Sequence, residues 1–275
     1  MSDGFTVAIA GLGLIGGSLA RDLAARGTRV LASDCNMDTL RAASDEGVIA
    51  GTLHDGPGTF EEVDVFVIAT PVDAAVRILA DVASRLGPHT IVTDVCSTKR
   101  TLERTALEAG LGTRYVGAHP MAGDTCSGWS ASRTGMFAGA PVYLCPSHET
   151  NDRALRVITD LWTGIGAVPE TISAHDHDIL LASTSHLPQL TATALARVLD
   201  AAGIPLSRLG PGGRDMTRLA GSSADVWTAI VLDNSVAIAS ALRQIEVELA
   251  RLRTALEAHD AIGIRDYLRR ECAEG

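Results

Sequence analysis

Residues 7–18, Val-Ala-Ile-Ala-Gly-Leu-Gly-Leu-Ile-Gly-Gly-Ser, constrain this chain more than any other stretch. The short run of Val, Ile and Ala reads as a buried strand, and it leads directly into G-x-G-x-x-G. Gly11 permits a tight turn, Gly13 lets backbone approach a pyrophosphate, and Gly16 lets the next helix lie close on the strand. Leu19, Ala20, Leu23 and Ala24 then recur with helical spacing. The phosphates of a dinucleotide would rest on the positive amino end of that helix, against Gly13, Leu14, Ile15 and Gly16. Glycine-rich turns are common, so the strand before and the helix after carry the inference.

Residues 29–34 form the next strand-like run and end in Asp34, about 20 residues beyond the glycines, where an acid can bind the adenosine ribose hydroxyls and repel a 2′-phosphate. Cys35 and Asn36 follow, with no Arg or Lys to neutralise that phosphate, which favours NAD over NADP. A solvated turn aspartate is the alternative for Asp34 taken alone. Strand, loop, helix, strand and acid in register favour the dinucleotide.

Further strand-like runs lie at 63–71, 90–94, 115–118, 141–145 and 167–172. Helical segments separate them at 37–46, 73–86, 99–109 and 151–164, with Asp73 and Asn151 placed as N-caps. This alternation predicts an α/β architecture, a Rossmann-type, doubly wound, mostly parallel sheet over residues 1–172. From 173 to 275 helices are predicted at 175–202, 214–221, 225–258 and 260–270, with Pro188 kinking or breaking the first. The many apolar positions from Val226 to Leu256 suggest that this all-helical domain forms a homodimer; packing within one chain is the alternative. A formal charge of −10 and a pI near 5.2 argue against nucleic acid or an anionic membrane as partner. The sequence has no apolar run of bilayer length and no signal-peptide pattern, and its five scattered cysteines suit reduced thiols, so a cytoplasmic protein is expected.

Ligands of such sheets bind outside the carboxyl ends of the strands. Thr70, Pro71 and the segment Asp94 to Lys99 therefore border the expected nicotinamide site. His119 stands at another strand end, within Gly-Ala-His-Pro-Met-Ala-Gly, where a neutral imidazole can take a hydroxyl proton near neutral pH. His186 lies in Ser-His-Leu-Pro, and Arg214 and Arg218 share a short helix. Residues 11–18, 94–99, 117–123, 185–188 and 214–220, with Trp227, together resemble the prephenate/arogenate dehydrogenase family over essentially the whole chain. The resemblance implies oxidative decarboxylation with NAD on the tyrosine pathway. Prephenate would give 4-hydroxyphenylpyruvate, carbon dioxide and NADH, and arogenate would give tyrosine. It also implies that Ser97 hydrogen-bonds near the substrate hydroxyl and His119. Arg218 would clamp a substrate carboxylate, helped by Arg214, with His186 as a further substrate contact. A helix cap is the alternative for Ser97, a turn histidine for His119, a core histidine for His186, and a solvated or acid-paired side chain for Arg214. Asp178 either orients an arginine or is an exposed helix residue.

Two positions depart from the family pattern. Gln189 stands where many members have a second histidine facing substrate, and Thr125 where many have an acid. Both changes remove charge and leave open whether the substrate side chain is keto or amino. No appended regulatory domain is read from the sequence. His175 and His177 would point ~200° apart on a helix, so they are read as a polar helix start, and no metal is expected. Short-chain 3-hydroxyacid dehydrogenases share the architecture but use a lysine of the helical half, whereas Lys99, the sole lysine, lies in the sheet half. A non-catalytic NAD(H)-sensing module would leave His119, His186 and Arg218 without a task. Replacing Asp34 by Ala should relax the preference for NAD over NADP, measured as the ratio of the two cofactors' kcat/KM; an unaltered ratio would remove Asp34 from the ribose site.

Overall fold

A computed structural model describes residues 4–53, 60, 62–124 and 126–269; Thr125 lies outside them. The strands are β1 (Thr6–Ala10), β2 (Arg29–Ser33), β3 (Gly51–Thr52), β4 (Val65–Ile68), β5 (Ile91–Asp94), β6 (Tyr115–Pro120), β7 (Pro141–Pro146) and β8 (Val168–Thr171). They form one sheet in the order β3-β2-β1-β4-β5-β6-β7-β8. All neighbours are parallel except β6 and β7, so β7 and β8 run against the rest. The mostly parallel, doubly wound sheet is thus present, with a reversed pair at one edge.

β1, β4 and β5 are buried along their whole length, as expected of central parallel strands covered on both faces. Val7 and Ile9 of β1 face a core shared with α1 (Leu14–Ala25), α2 (Met37–Asp45) and α5 (Asp152–Gly164), where Trp162 and Phe137 meet edge to face. Ala8 and Ala10 face the opposite core, with α3 (Val72–Val82) and α4 (Arg100–Glu108). The chain leaves β1 for β2 on one side and returns through β4 on the other. A crevice therefore opens above the carboxyl ends of β1 and β4.

The expected Asn151 cap is present: its side chain accepts from Ala154 N at 2.8 Å. Asp73 does not cap α3. That helix begins at Val72 after Pro71, and Asp73 sits in its first turn, paired with Arg77 at 3.1 Å.

After β8 every regular element among the described residues is helical: α6 (Ala174–Leu181), α7 (Leu187–Ala201), α8 (Pro211–Thr217), α9 (Ala224–Asp233), α10 (Ser235–Glu257) and α11 (Ala261–Leu268). Pro188 breaks the first predicted helix, as its missing N–H and its ring require. The break takes the form of a wide π turn over Ala182–His186, just before the proline. The single helix expected over 225–258 is instead two, bent by 96° about Asn234. The reason is tertiary. Asn234 is buried, and its amide donates to the Asp178 carbonyl at 2.7 Å, which turns the chain toward α6. No single helix among the described residues is long and apolar enough to cross a membrane.

Replacing Asn151 by Ala should destabilise the protein by about 1 kcal/mol through loss of the α5 cap, read as a lower urea midpoint; an unmoved midpoint would contradict this account of how α5 starts.

Candidate active site

A cleft of about 350 Å³ lies at the crevice above β1 and β4. The sheet half lines it with Gly13, Leu14, Ile15, Thr70, Pro71 and Ser97, and the helical half with Ser222, Ser223, Val226 and Trp227. Gly11 takes φ +98°, and a Cβ there would lie 2.5 Å from the Ala69 carbonyl oxygen, so the turn requires glycine. A Cβ at Gly13 would meet nothing within 4 Å and would project into the cleft. No side chain caps α1 and no acid occupies its first turn. Its free N–H groups and positive end are therefore open to an anion at the cleft wall. These features fit a dinucleotide pyrophosphate.

Asp34 follows β2, half-buried, beside the glycine turn. One oxygen braces that turn, accepting from Leu12 N at 2.7 Å, and the other accepts from Asn36 N at 2.8 Å. Asp94, expected beside the nicotinamide, does not face the cleft. Its carboxylate is fully buried and saturated by the Lys99 ammonium, the Tyr115 hydroxyl at 2.6 Å and Cys96 N at 2.8 Å. Burial pulls the Lys99 ammonium down, but Asp94 and Cys96 leave it above its ordinary value; burial and Asp94 together push the Tyr115 phenol well up. Asp94 thus shapes the loop that presents Ser97. Ser97 lies at the cleft and does not cap α4, which starts at Arg100. The cap comes from Asp178, whose oxygens accept from Lys99 N at 2.9 Å and Arg100 N at 3.1 Å. Asp178 is accordingly buried, neither exposed nor paired with an arginine side chain.

His119 is half-buried at the carboxyl end of β6, beside β5 and the loop that carries Ser97. Its Nδ1 lies 2.9 Å from His177 Nε2, and His177 Nδ1 lies 2.9 Å from Asp178 Oδ1. Tyr143, opposite His119 on β7, meets the His177 ring edge to face. Burial, His177 and the Lys99 ammonium hold the His119 imidazole well below the ordinary histidine range. Burial also lowers His177, against the pull of Asp178. The Asp178 carboxyl is lowered too: burial raises it, but the His177 bond and the two backbone N–H groups outweigh that.

His177 is the functional candidate that sequence reasoning missed. In His-Asp-His-Asp it looked like a polar helix start. Ser173 caps α6, accepting from Asp176 N at 3.0 Å, and leaves His177 and Asp178 turned into the protein. A polar pair followed by the apolar Ile179-Leu180-Leu181 was the only signal.

His186 ends the π turn, fully buried, edge-on to Trp227 at 5.9 Å. Asn234 Nδ2 lies 3.3 Å from its Nδ1, and its Nε2 has no partner among the described residues. A buried imidazole nitrogen without a partner is costly, so it is a candidate to bond a ligand or an ordered water. Burial pushes the His186 pKa down to about 4. Gln189 is bonded within the helical half. Its amide donates to Leu219 O at 2.8 Å and accepts from Ser222 at 3.3 Å, so it pins the turn after α8.

Arg218 begins that turn, Arg218–Gly221, and is exposed in a concavity shared with Arg214, next to the cleft but apart from it. Arg214 donates to the Leu209 carbonyl. Within one chain the structure therefore groups Gly13, Thr70, Pro71 and Ser97 around the cleft, links His119 to His177, and leaves Arg214 and Arg218 on an adjoining face.

Residues 19–171 match the nucleotide-binding domain of prephenate dehydrogenase, and residues 173–270 match its dimerization domain. The chain belongs to the prephenate dehydrogenase family. It is 33% identical to the prephenate dehydrogenase of Bacillus subtilis over 96% of this chain and 73% of that protein. It is 31% identical to the cyclohexadienyl dehydrogenase of Zymomonas mobilis over 95% of this chain and 90% of that protein. Among solved structures, the A. aeolicus prephenate dehydrogenase in complex with hydroxyphenyl propionate and NAD+ superposes with a TM-score of 0.88, at 29% identity, covering 98% of this chain and 96% of that one. The two family domains meet at Ser173, the cap of α6, so the helix carrying His177 and Asp178 is the first element of the dimerization domain.

One contribution to the pH dependence of stability, beside those of His119 and His177, comes from His186. Its folded pKa lies below the unfolded value near 6.5, so its neutral form contributes fully above pH 6.5 and that contribution is lost as pH falls toward 4. The melting temperature should fall over this window, less steeply in His186→Gln; the same slope in both proteins would contradict a neutral buried imidazole.

Proposed function

We propose that this chain is an NAD-dependent dehydrogenase that oxidises and decarboxylates prephenate to 4-hydroxyphenylpyruvate. Family membership over both domains supports the reaction class, and the glycine turn, the open amino end of α1 and Asp34 suit NAD. The observation that carries the reading is His119, a neutral imidazole at the end of the strand next to the one that leads into Ser97, tied through one nitrogen to His177.

Bound NAD+ supplies the hydride acceptor. The protein must hold the carbinol carbon against it and manage one proton. His119 accepts the hydroxyl proton through its free nitrogen as the C–H electron pair leaves. Ser97 orients the same hydroxyl. The bond to the ring carboxylate then breaks, its electron pair enters the ring as carbon dioxide departs, and His119 returns the proton to the new phenol oxygen. Aromatisation drives the sequence, so no strong acid is needed. Arg218, on the face adjoining the cleft beyond Ser222 and Ser223, would oppose a substrate carboxylate that extends toward that face, with Arg214 adding positive potential. Trp227 and Val226 cover the site against water.

The dimerization domain pairs with a second copy of this chain. α9, α10 and α11 leave Leu232, Val236, Val247, Leu249, Leu256, Ile262 and Leu268 exposed, apolar side chains that a second copy would cover.

The test is NADH formation with prephenate and arogenate side by side. Prephenate should be the better substrate by kcat/KM, and His119→Asn should lower kcat at least ~100-fold while NAD still binds. Turnover of neither compound, or near-normal turnover by the variant, would sink the proposal.

A further inference from the structure

The two histidines of the candidate site are chemically identical, yet the reaction asks opposite things of them. An unconstrained neutral imidazole distributes its proton between both nitrogens, so something must choose. The choice can be traced atom by atom to one residue.

Asp178 is buried, and its carboxylate, held ionised by backbone donors at Lys99 and Arg100, can only accept. His177 Nδ1, 2.9 Å away, must therefore carry the proton, which leaves neutral His177 bare at Nε2. His119 Nδ1, 2.9 Å from that bare nitrogen, must donate to it. The proton of neutral His119 is thus placed on Nδ1, and its Nε2 is an acceptor. The backbone carbonyl of the same Asp178 also can only accept, so the Asn234 atom 2.7 Å from it is the NH2 nitrogen. That nitrogen lies 3.3 Å from His186 Nδ1 and spends its second hydrogen there, which makes His186 Nδ1 the bare atom. The His186 proton is placed on Nε2, the buried nitrogen that has no partner among the described residues.

We propose that Asp178 is a positioning residue that sets the two imidazoles in opposite tautomers, His119 as a proton acceptor through Nε2 and His186 as an N–H donor to a substrate oxygen. The carboxylate acts on His119 through His177, and the carbonyl acts on His186 through Asn234. The bend between α9 and α10 serves this arrangement, because it brings Asn234 against α6. When His119 takes the hydroxyl proton, its positive charge is stabilised through the His177 bond by Asp178, and the proton stays on His119 until it returns to the phenol oxygen. The inference rests on the proposed reaction for its chemistry, but the tautomers belong to the free protein.

The test is 15N NMR of the full chain carrying 15N-labelled histidine, recorded without substrate, with His119 and His186 assigned by the signals missing in His119→Asn and His186→Gln. His119 should show a protonated Nδ1 and a bare Nε2, and His186 the reverse. Two variants then separate the branches. Asp178→Asn should mix the His119 tautomers and lower kcat on the order of 100-fold with KM changed little. Asn234→Leu should mix the His186 tautomers and raise KM for prephenate with kcat changed little. A wild-type spectrum with His119 protonated at Nε2, or variants that lose activity with both tautomers intact, would overturn the proposal. The wild-type spectrum decides even if a variant fails to fold. Failure of the prephenate assay with these tautomers present would count against the reaction instead.

Discussion

Asp178 closes the amino end of α4 from the other half of the molecule, and the candidate site depends on that contact. A carboxylate withdrawn from water is costly unless donors replace the lost hydration. Here the two N–H groups that begin α4 and the His177 ring do so. The same bonds fix α6 against the loop after β5. Ser97, on that loop, and His119, one strand over, are then held by a network that spans both domains. Cleft geometry and domain packing are consequently one property of the fold.

A second buried polar group supports the first from beneath. Lys99, Asp94 and Tyr115 form a cluster under β6, with the carboxylate satisfied on both oxygens. Gly117 explains how it fits. A Cβ there would lie 3.0 Å from the Lys99 stem and crowd Asp94. The glycine that precedes Ala118 and His119 thus leaves room for the lysine stem beneath it.

Much of this was legible in the residues. The glycine turn, Asp34, the alternation of strands and helices, the Asn151 cap and the strand-end placement of Ser97 and His119 all follow from local spacing. What could not be read depends on partners distant in the chain. Asp94 ends its strand where a cofactor ligand would stand, and only the fold shows Lys99 and Tyr115 consuming it. Gln189 reads as a pocket residue, and only the fold shows Leu219 and Ser222 bonding its amide. His177 and Asp178 resemble a solvated helix start because their partners lie 58 and 79 residues away. The bend at Asn234 has no breaker residue to announce it; a buried amide reaching for the Asp178 carbonyl produces it. Arg218 was expected beside His119, but an exposed turn places it on an adjoining face.

The enclosure of Lys99 has a practical corollary. It is the only lysine in the sequence, and it is 1% exposed. Its amine is sealed by the strands on which the nucleotide half is built, so an acylating reagent can reach it only when those strands part. Acylation of that one amine therefore becomes a clock for how often the sheet opens, with no probe introduced.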